Sequence, residues 1–209
     1  MIRLSPSQSY VNRRFVLQSL AFASLALCSR VASSAEQVVG SVSALKGVAT
    51  AEITSKRRRL ERKSSLYLGD TVHTGARSRL VALLLPKTTL KLGAETRVRI
   101  DNFIVNAGGE ILLDSGALLL DVPRRLSKGL AVRSLFALIA VRGTTFFAGP
   151  LDDAFSVFVV KGSVDVVAGG EEVRLRSGEG IDIAAPGGKP GPVKKWGKPK
   201  ISKAMALVN

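Results

Sequence analysis

Few residues in this 209-residue chain are of the types that do chemistry. His73 is the only histidine, which rules out any site built on two histidine ligands. Set between Val72 and Thr74, it reads as an exposed strand residue rather than a catalytic base. Ser43-Ala44-Leu45-Lys46 has the Ser-x-x-Lys spacing that lets a lysine activate a serine, but that chemistry requires a helix start, and this copy lies in a strand-like segment. Asp152-Asp153 and Glu171-Glu172 are neighbouring acids in turn-like sequence, not two carboxylates converging on one bond. No glycine-rich loop opens a helical pattern, so no phosphate cradle is expected. The single cysteine, Cys28, lies in an N-terminal segment expected to be removed. A mature chain without it has no disulfide, thiolate ligand or thiol nucleophile. These residues predict no enzyme activity, no cofactor and no metal.

The sharpest charge feature is Lys56-Arg57-Arg58-Arg59-Leu60-Glu61-Arg62-Lys63, within a chain of net charge +15. In a cytosolic protein Lys56, Arg57, Arg58, Arg59, Arg62 and Lys63 would suggest nucleic acid. In an exported one they suit an anionic envelope polymer or headgroup surface instead. The expectation is a mobile, solvated hairpin tip between strands at 48–53 and 65–67.

Export is written in residues 1–35. Arg13-Arg14-Phe15-Val16-Leu17 is a twin-arginine pattern opening a largely apolar run, Phe15 to Cys28, which closes on Ser33-Ser34-Ala35. A basic start, a short apolar core and a small-x-small cleavage site define an export signal, and the paired arginines point to the route for folded proteins. The fourteen-residue run is shorter than the roughly 18 residues a membrane span needs. A helix is expected inside 13–30. Cleavage after Ala35 would remove four arginines and no acids, taking the net charge to +11. The expected location is the periplasm. The alternative is an uncleaved segment that anchors the domain at the inner membrane.

The elements that must position any surface site are strands. Leu90-Lys91-Leu92, Thr96 to Ile100 and Glu172 to Arg176 alternate apolar and polar or basic residues, the period-2 signature of half-buried strands. Ala82 to Leu85 and Ala117 to Leu120 are continuous, as strands covered on both faces are. Leu130 to Val141 alternates in its second half and ends at Gly143, which favours strands over a helix. Inward residues are expected at Val42, Val48, Leu83, Leu85, Leu90, Leu92, Ile111, Leu113, Leu118, Leu120, Val141, Phe146, Val157, Val159, Val164 and Val166. Val42 to Ala49 echoes Val157 to Val164 around a Lys-Gly pair, a sign of two similar β-units. Residues 36–184 should therefore form one all-β domain of twisted, stacked antiparallel strands. The Pro/Gly/Lys-rich stretch 185–209 is expected to be a disordered tail outside the core.

Three blocks in this order resemble the periplasmic FecR-type domain. They are Gly69-Asp70-Thr71-Val72-His73-Thr74-Gly75-Ala76-Arg77-Ser78, Val141-Arg142-Gly143-Thr144 and Val159-Val160-Lys161-Gly162-Ser163-Val164. The resemblance implies a solenoid-like all-β fold. In that family the domain belongs to cell-surface signalling regulators that couple an outer-membrane receptor to a cytoplasmic sigma factor. Only fourteen residues precede the apolar run, too few for a sigma-binding segment, and the tail offers no room for a receptor-contacting subdomain. The expectation is a free-standing, non-enzymatic binding or signalling module whose partner is a protein or an anionic envelope polymer, not nucleic acid. Membrane contact would come only through the signal segment or the basic surface. The block residues Gly69, Gly75, Gly143 and Gly162 suit turns or close approaches. Asp70, Thr74, Ser78 and Thr144 suit local backbone bonding, and Arg142 is expected to be partly buried as a staple between turns.

Overall fold

The computed structural model describes residues 37–85, 87–104, 108–124 and 129–209. Arg13, Arg14, Phe15, Leu17, Ser33 and Ala35, and with them the signal helix expected inside 13–30, lie outside the described residues. Residues 36–209 form one compact unit.

The unit is built almost wholly of strands in two nine-stranded sheets. Sheet A contains β1 (Val38–Lys46), β4 (Ser65–Tyr67), β6 (Arg79–Leu84), β7 (Thr88–Leu92), β10 (Leu118–Asp121), β13 (Thr145–Leu151), β14 (Ala154–Lys161), β17 (Glu179–Ile183) and β18 (Lys194–Lys195). Sheet B contains β2 (Ala49–Ile53), β3 (Lys56–Arg59), β5 (Thr71–Thr74), β8 (Arg97–Ile104), β9 (Gly108–Ser115), β11 (Leu130–Ser134), β12 (Leu138–Val141), β15 (Ser163–Ala168) and β16 (Glu171–Arg176). Their spatial orders are β18-β17-β14-β13-β10-β7-β6-β1-β4 and β16-β15-β12-β11-β9-β8-β5-β2-β3. The chain repeatedly crosses from one sheet to the other, so the two layers grow side by side, as the solenoid-like reading requires. Leu130 to Val141 is a strand pair, β11 with β12, as its alternation suggests.

Pairing is antiparallel with one exception among the described strands: β11 runs parallel to β9. Between them the chain visits sheet A as β10, and that crossover is what allows a parallel neighbour.

One face of each sheet turns toward a shared core. Leu80, Ala82, Leu84, Leu90, Leu92, Leu118, Leu120, Phe146, Val157 and Val159 from sheet A meet Val72, Val98, Ile100, Ile111, Val132, Ile139, Val164 and Val166 from sheet B, all essentially without solvent contact. Each of these Val, Leu, Ile and Phe side chains contributes about 1.5–3 kcal/mol on burial, so the interface between the layers dominates stability.

Three expected core residues are on the outside: Val48 (50 % exposed), Leu83 (45 %) and Leu85 (41 %). The run Ala82 to Leu85 looks doubly covered, but only its inner face is. Ala82 and Leu84 take the core, and the opposite parity faces solvent. Val48 sits in a corner between sheets.

Residues 185–209 correct the expectation of a disordered tail. Lys194–Lys195 pairs with β17, and Lys198–Val208 forms helix α1. A helix of this length is marginal alone, but the outer face of sheet A supplies a second core. Phe147, Leu151 and Phe158 cluster there with Ala204 and Val208. The only tryptophan, Trp196, stacks on Phe158 at 4.7 Å. A Cβ on Gly180 would lie 2.5 Å from the Trp196 ring, so only glycine leaves room for the indole. Lys200 crosses the ring at 4.4 Å and pairs with Asp182, while Lys203 pairs with Asp152. The Pro/Gly/Lys-rich composition that argued for disorder thus runs into ordered chain, where Lys200 and Lys203 of α1 have specific acceptors.

No helix among the described residues is long and apolar enough to cross a membrane.

Candidate functional site

The block residues build corner clasps where the chain changes sheets. At the first, the Val48 N–H donates to Ser78 Oγ (2.9 Å), and the Gly75 N–H donates to the Val48 carbonyl (2.9 Å). Gly47, at φ +83°, lies so close that a Cβ would fall 2.3 Å from Ser78 Oγ. The second clasp repeats this geometry. The Ala117 N–H donates to Thr96 Oγ1 (3.1 Å), the Gly93 N–H donates to the Ala117 carbonyl (2.9 Å), and Gly116 at φ +79° would place a Cβ 2.3 Å from Thr96 Oγ1. At the third, Thr144 Oγ1 donates to the Ser163 carbonyl (2.7 Å) and accepts its N–H (3.2 Å) beside Gly162. Thr74 Oγ1 donates to the Gly93 carbonyl (2.6 Å) and accepts the Thr96 N–H (3.0 Å), tying the second corner to β5. Leaving such a buried N–H without an acceptor costs about 1–3 kcal/mol.

Thr96 and Gly116 were not singled out from the sequence, although a signal was present. Gly75-Ala76-Arg77-Ser78 and Gly93-Ala94-Glu95-Thr96 are the same turn written twice, with Arg77 (φ 55°) and Glu95 (φ 50°) in the same left-handed place. The echo between Val42–Ala49 and Val157–Val164 has a physical basis in the clasped glycines Gly47 and Gly162.

Asp70 is fully buried and anchors the other end of the sheets. It accepts from Arg58 Nη1 (2.7 Å) and Nη2 (2.5 Å) and from the Tyr67 N–H (2.7 Å), and Arg58 Nη2 also donates to the Ser65 carbonyl (2.9 Å). The Arg58 guanidinium covers the Tyr67 ring at 4.8 Å. Gly69, at φ +86°, makes the turn before Asp70 and donates its N–H to the Ile100 carbonyl.

The basic cluster is therefore not a hairpin tip. Lys56–Arg59 is an edge strand, Leu60 is fully buried, and Arg58 belongs to the fold. Lys56, Arg57, Arg59, Arg62 and Lys63 are exposed, with Arg57 paired to Glu52 at 3.2 Å. Arg142 is also corrected. Its side chain is exposed, and the stapling at that corner is done by Thr144 Oγ1, which bonds the Ser163 backbone.

The remaining chemical candidates stay apart. His73 is exposed on β5, opposite Thr50 and Arg97. Asp152 and Asp153, both at positive φ, form the two-residue turn between β13 and β14. Glu171 pairs with Lys189. Among the described residues no three His, Cys, Asp or Glu side chains gather as a metal site would require.

One recess of about 480 Å³ is lined by Gly129, Ala131, Ala140, Arg142, Ser163, Asp165 and Arg174, among others, on sheet B. Arg174 holds Asp165 in a two-bond fork (2.6 and 2.9 Å), and that hydrogen bonding outweighs partial burial and keeps the Asp165 carboxyl below its ordinary value.

The FecR protein family model matches residues 70–165, from Asp70 to Asp165 and across all three hydroxyl groups of the clasps. Residues 70–165 are thus similar to a FecR domain, over a little under half of the chain. Its fold is like that in two crystal structures, at 2.50 and 1.65 Å resolution, of a "putative anti-sigma factor" from Parabacteroides distasonis ATCC 8503. Each superposes with a TM-score of 0.55 at 21 % identity, covering 63 % of this chain and 62 % of that one, so this chain spans under two thirds of that protein's length. No curated protein matches the chain.

Proposed function

We propose that the protein is a non-enzymatic, periplasmic FecR-type module that regulates by binding, its partner a protein or an anionic envelope polymer. The observation that carries this reading is what the FecR domain does with its polar residues. Asp70, Thr74, Ser78, Thr96 and Thr144 are buried and each is committed to holding strands and corners together. Such a scaffold acts through its exterior, where Lys56, Arg57, Arg59, Arg62 and Lys63 face solvent. The twin-arginine signal and the fold's likeness to an anti-sigma factor structure support a regulatory role outside the cytoplasm.

The test is complementation. Deleting the gene should change a defined set of transcripts, and the full chain should restore them. A variant carrying Arg13→Lys and Arg14→Lys, held in the cytosol, should not. Restoration by the cytosolic variant would overturn the periplasmic reading, and an unchanged transcript profile in the deletion strain would overturn the regulatory one.

A further inference from the structure

The recess on sheet B has a geometry suited to a ligand. Strand register lays out two rows of outward residues across β11, β12, β15 and β16. Ala131, Ala140, Asp165 and Arg174 stand side by side in the first. In the second, Ser163 opposes Arg176, and extending the β12–β15 register by one residue places Arg142 opposite Ser163 on its other side. Ala131 and Ala140 give the recess a small apolar patch beside the Asp165–Arg174 pair, Arg142 and Ser163 line its edge, and Arg176 stands next to Ser163 on β16.

Arg174 is occupied by Asp165. The guanidinium groups of Arg142 and Arg176 are exposed and bond no partner among the described residues. Neighbouring strands lie about 4.8 Å apart, so these two side chains flank Ser163 at a span of roughly 10 Å, within which both can fold over one bound group. More positive charge stands nearby. Arg124 packs against Gly143, and Lys161 precedes Gly162. The acids closest to the rim are already engaged, Asp165 by Arg174 and Glu179 by the Arg176 N–H (2.8 Å).

We propose that this recess binds an anionic saccharide. The acidic group, a phosphate or a carboxylate, is held by Arg142 and Arg176, whose planar forks match such oxygens in pairs. Ser163 supplies a further hydrogen bond, and the apolar face of the ring lies over Ala131 and Ala140. The volume suits one or two sugar rings. None of the large exposed hydrophobic side chains lines the recess, which removes the anchor that a lipid surface or a protein hot spot would use. This assignment deepens the binding-module reading by naming a ligand class. It is tested on purified protein, so its failure leaves export and regulation standing.

The experiment is calorimetric titration of the purified full chain, at low salt, with glucose 6-phosphate, glucuronic acid, glucose and inorganic phosphate. At least one acidic sugar should bind tenfold or more tightly than both glucose and inorganic phosphate, and the preferred acid identifies the source chemistry. Arg142→Ser should weaken that binding at least tenfold, and Ala140→Leu, which fills the apolar patch, should abolish it. Both positions are exposed, so melting temperatures should stay within about 2 °C of the parent. The double variant Arg57→Ser with Arg59→Ser serves as a control and should bind normally. Inorganic phosphate binding as tightly as the sugars, or affinity unaffected by both recess variants, would overturn the proposal. So would the absence of binding by both acidic sugars, whether or not phosphatidylglycerol vesicles bind.

Discussion

Within the run of three arginines, a single residue should carry nearly all of the stability. Replacing Arg58 with Ser removes at least three hydrogen bonds and leaves Asp70, with no exposed surface, with the Tyr67 N–H. Breaking a fully buried pair from one side costs about 3–5 kcal/mol. The Arg58 side chain is 31 % exposed, so water can enter the vacated space, and the loss is closer to about 2–3 kcal/mol. The lost contact with the Tyr67 ring adds about 0.5 kcal/mol. For a domain of this size each kcal/mol shifts the midpoint by roughly 2–4 °C, so thermal melts should show a fall of about 5–14 °C. Arg57 is 69 % exposed in its pair with Glu52, and Arg59 is exposed on the edge strand, so Ser at either place should change stability by less than about 0.5 kcal/mol. Arg58→Lys keeps the charge but not the fork and should fall between. Urea denaturation of the three single Ser variants, read by circular dichroism, is the assay. Equal small losses at 57, 58 and 59 would refute the assignment of Arg58 to the fold.

Other outcomes follow from the corners and the C-terminal helix. Gly116→Ala forces a Cβ to within 2.3 Å of Thr96 Oγ1 and 2.5 Å of its Cα, and should cost at least about 2 kcal/mol. Gly178→Ala, with a similar φ and open space around it, should cost about 1 kcal/mol, and the difference in urea midpoint between the two measures the clasp. Removing residues 198–209 should uncover Phe147 and Phe158, seen as a gain in binding of an apolar dye and a drop in melting temperature. Acid should loosen the same helix. Burial disfavours the Asp182 charge, but bonds from Lys200 and Ser156 and the charges of Lys200 and Lys194 outweigh it and hold the carboxyl below its ordinary value. A depressed folded pKa gives stabilisation that is present above the unfolded value of about 3.9 and lost as pH falls through the folded one. Trp196 fluorescence should therefore shift below about pH 4, and Asp182→Asn should remove that transition.

The strands were legible because alternation survives in short windows. Leu90-Lys91-Leu92 and Thr96 to Ile100 need no tertiary information to declare an inner and an outer face. Leu83 and Leu85 were misplaced because a continuous apolar run carries no parity, and only the position of α1 decides which part of sheet A is covered twice. That helix was itself hidden by Pro199, Gly197 and a lysine-rich composition; its stability comes from Phe147 and Phe158, far upstream in the sequence. The FecR blocks include the hydroxyl groups at 78 and 144, yet no local pattern could show that Arg58 would reach Asp70 or that Arg142 would be left open. Both depend on which strands become neighbours.

The measurement that bears most directly on an exported binding module is the N-terminal sequence and location of the protein in a bacterial host. Fractionation should place it in the periplasm with Glu36 as its first residue. A membrane-bound form that still begins upstream of Arg13 and Arg14 would establish the anchored alternative, and an intact chain in the cytosol would contradict export altogether.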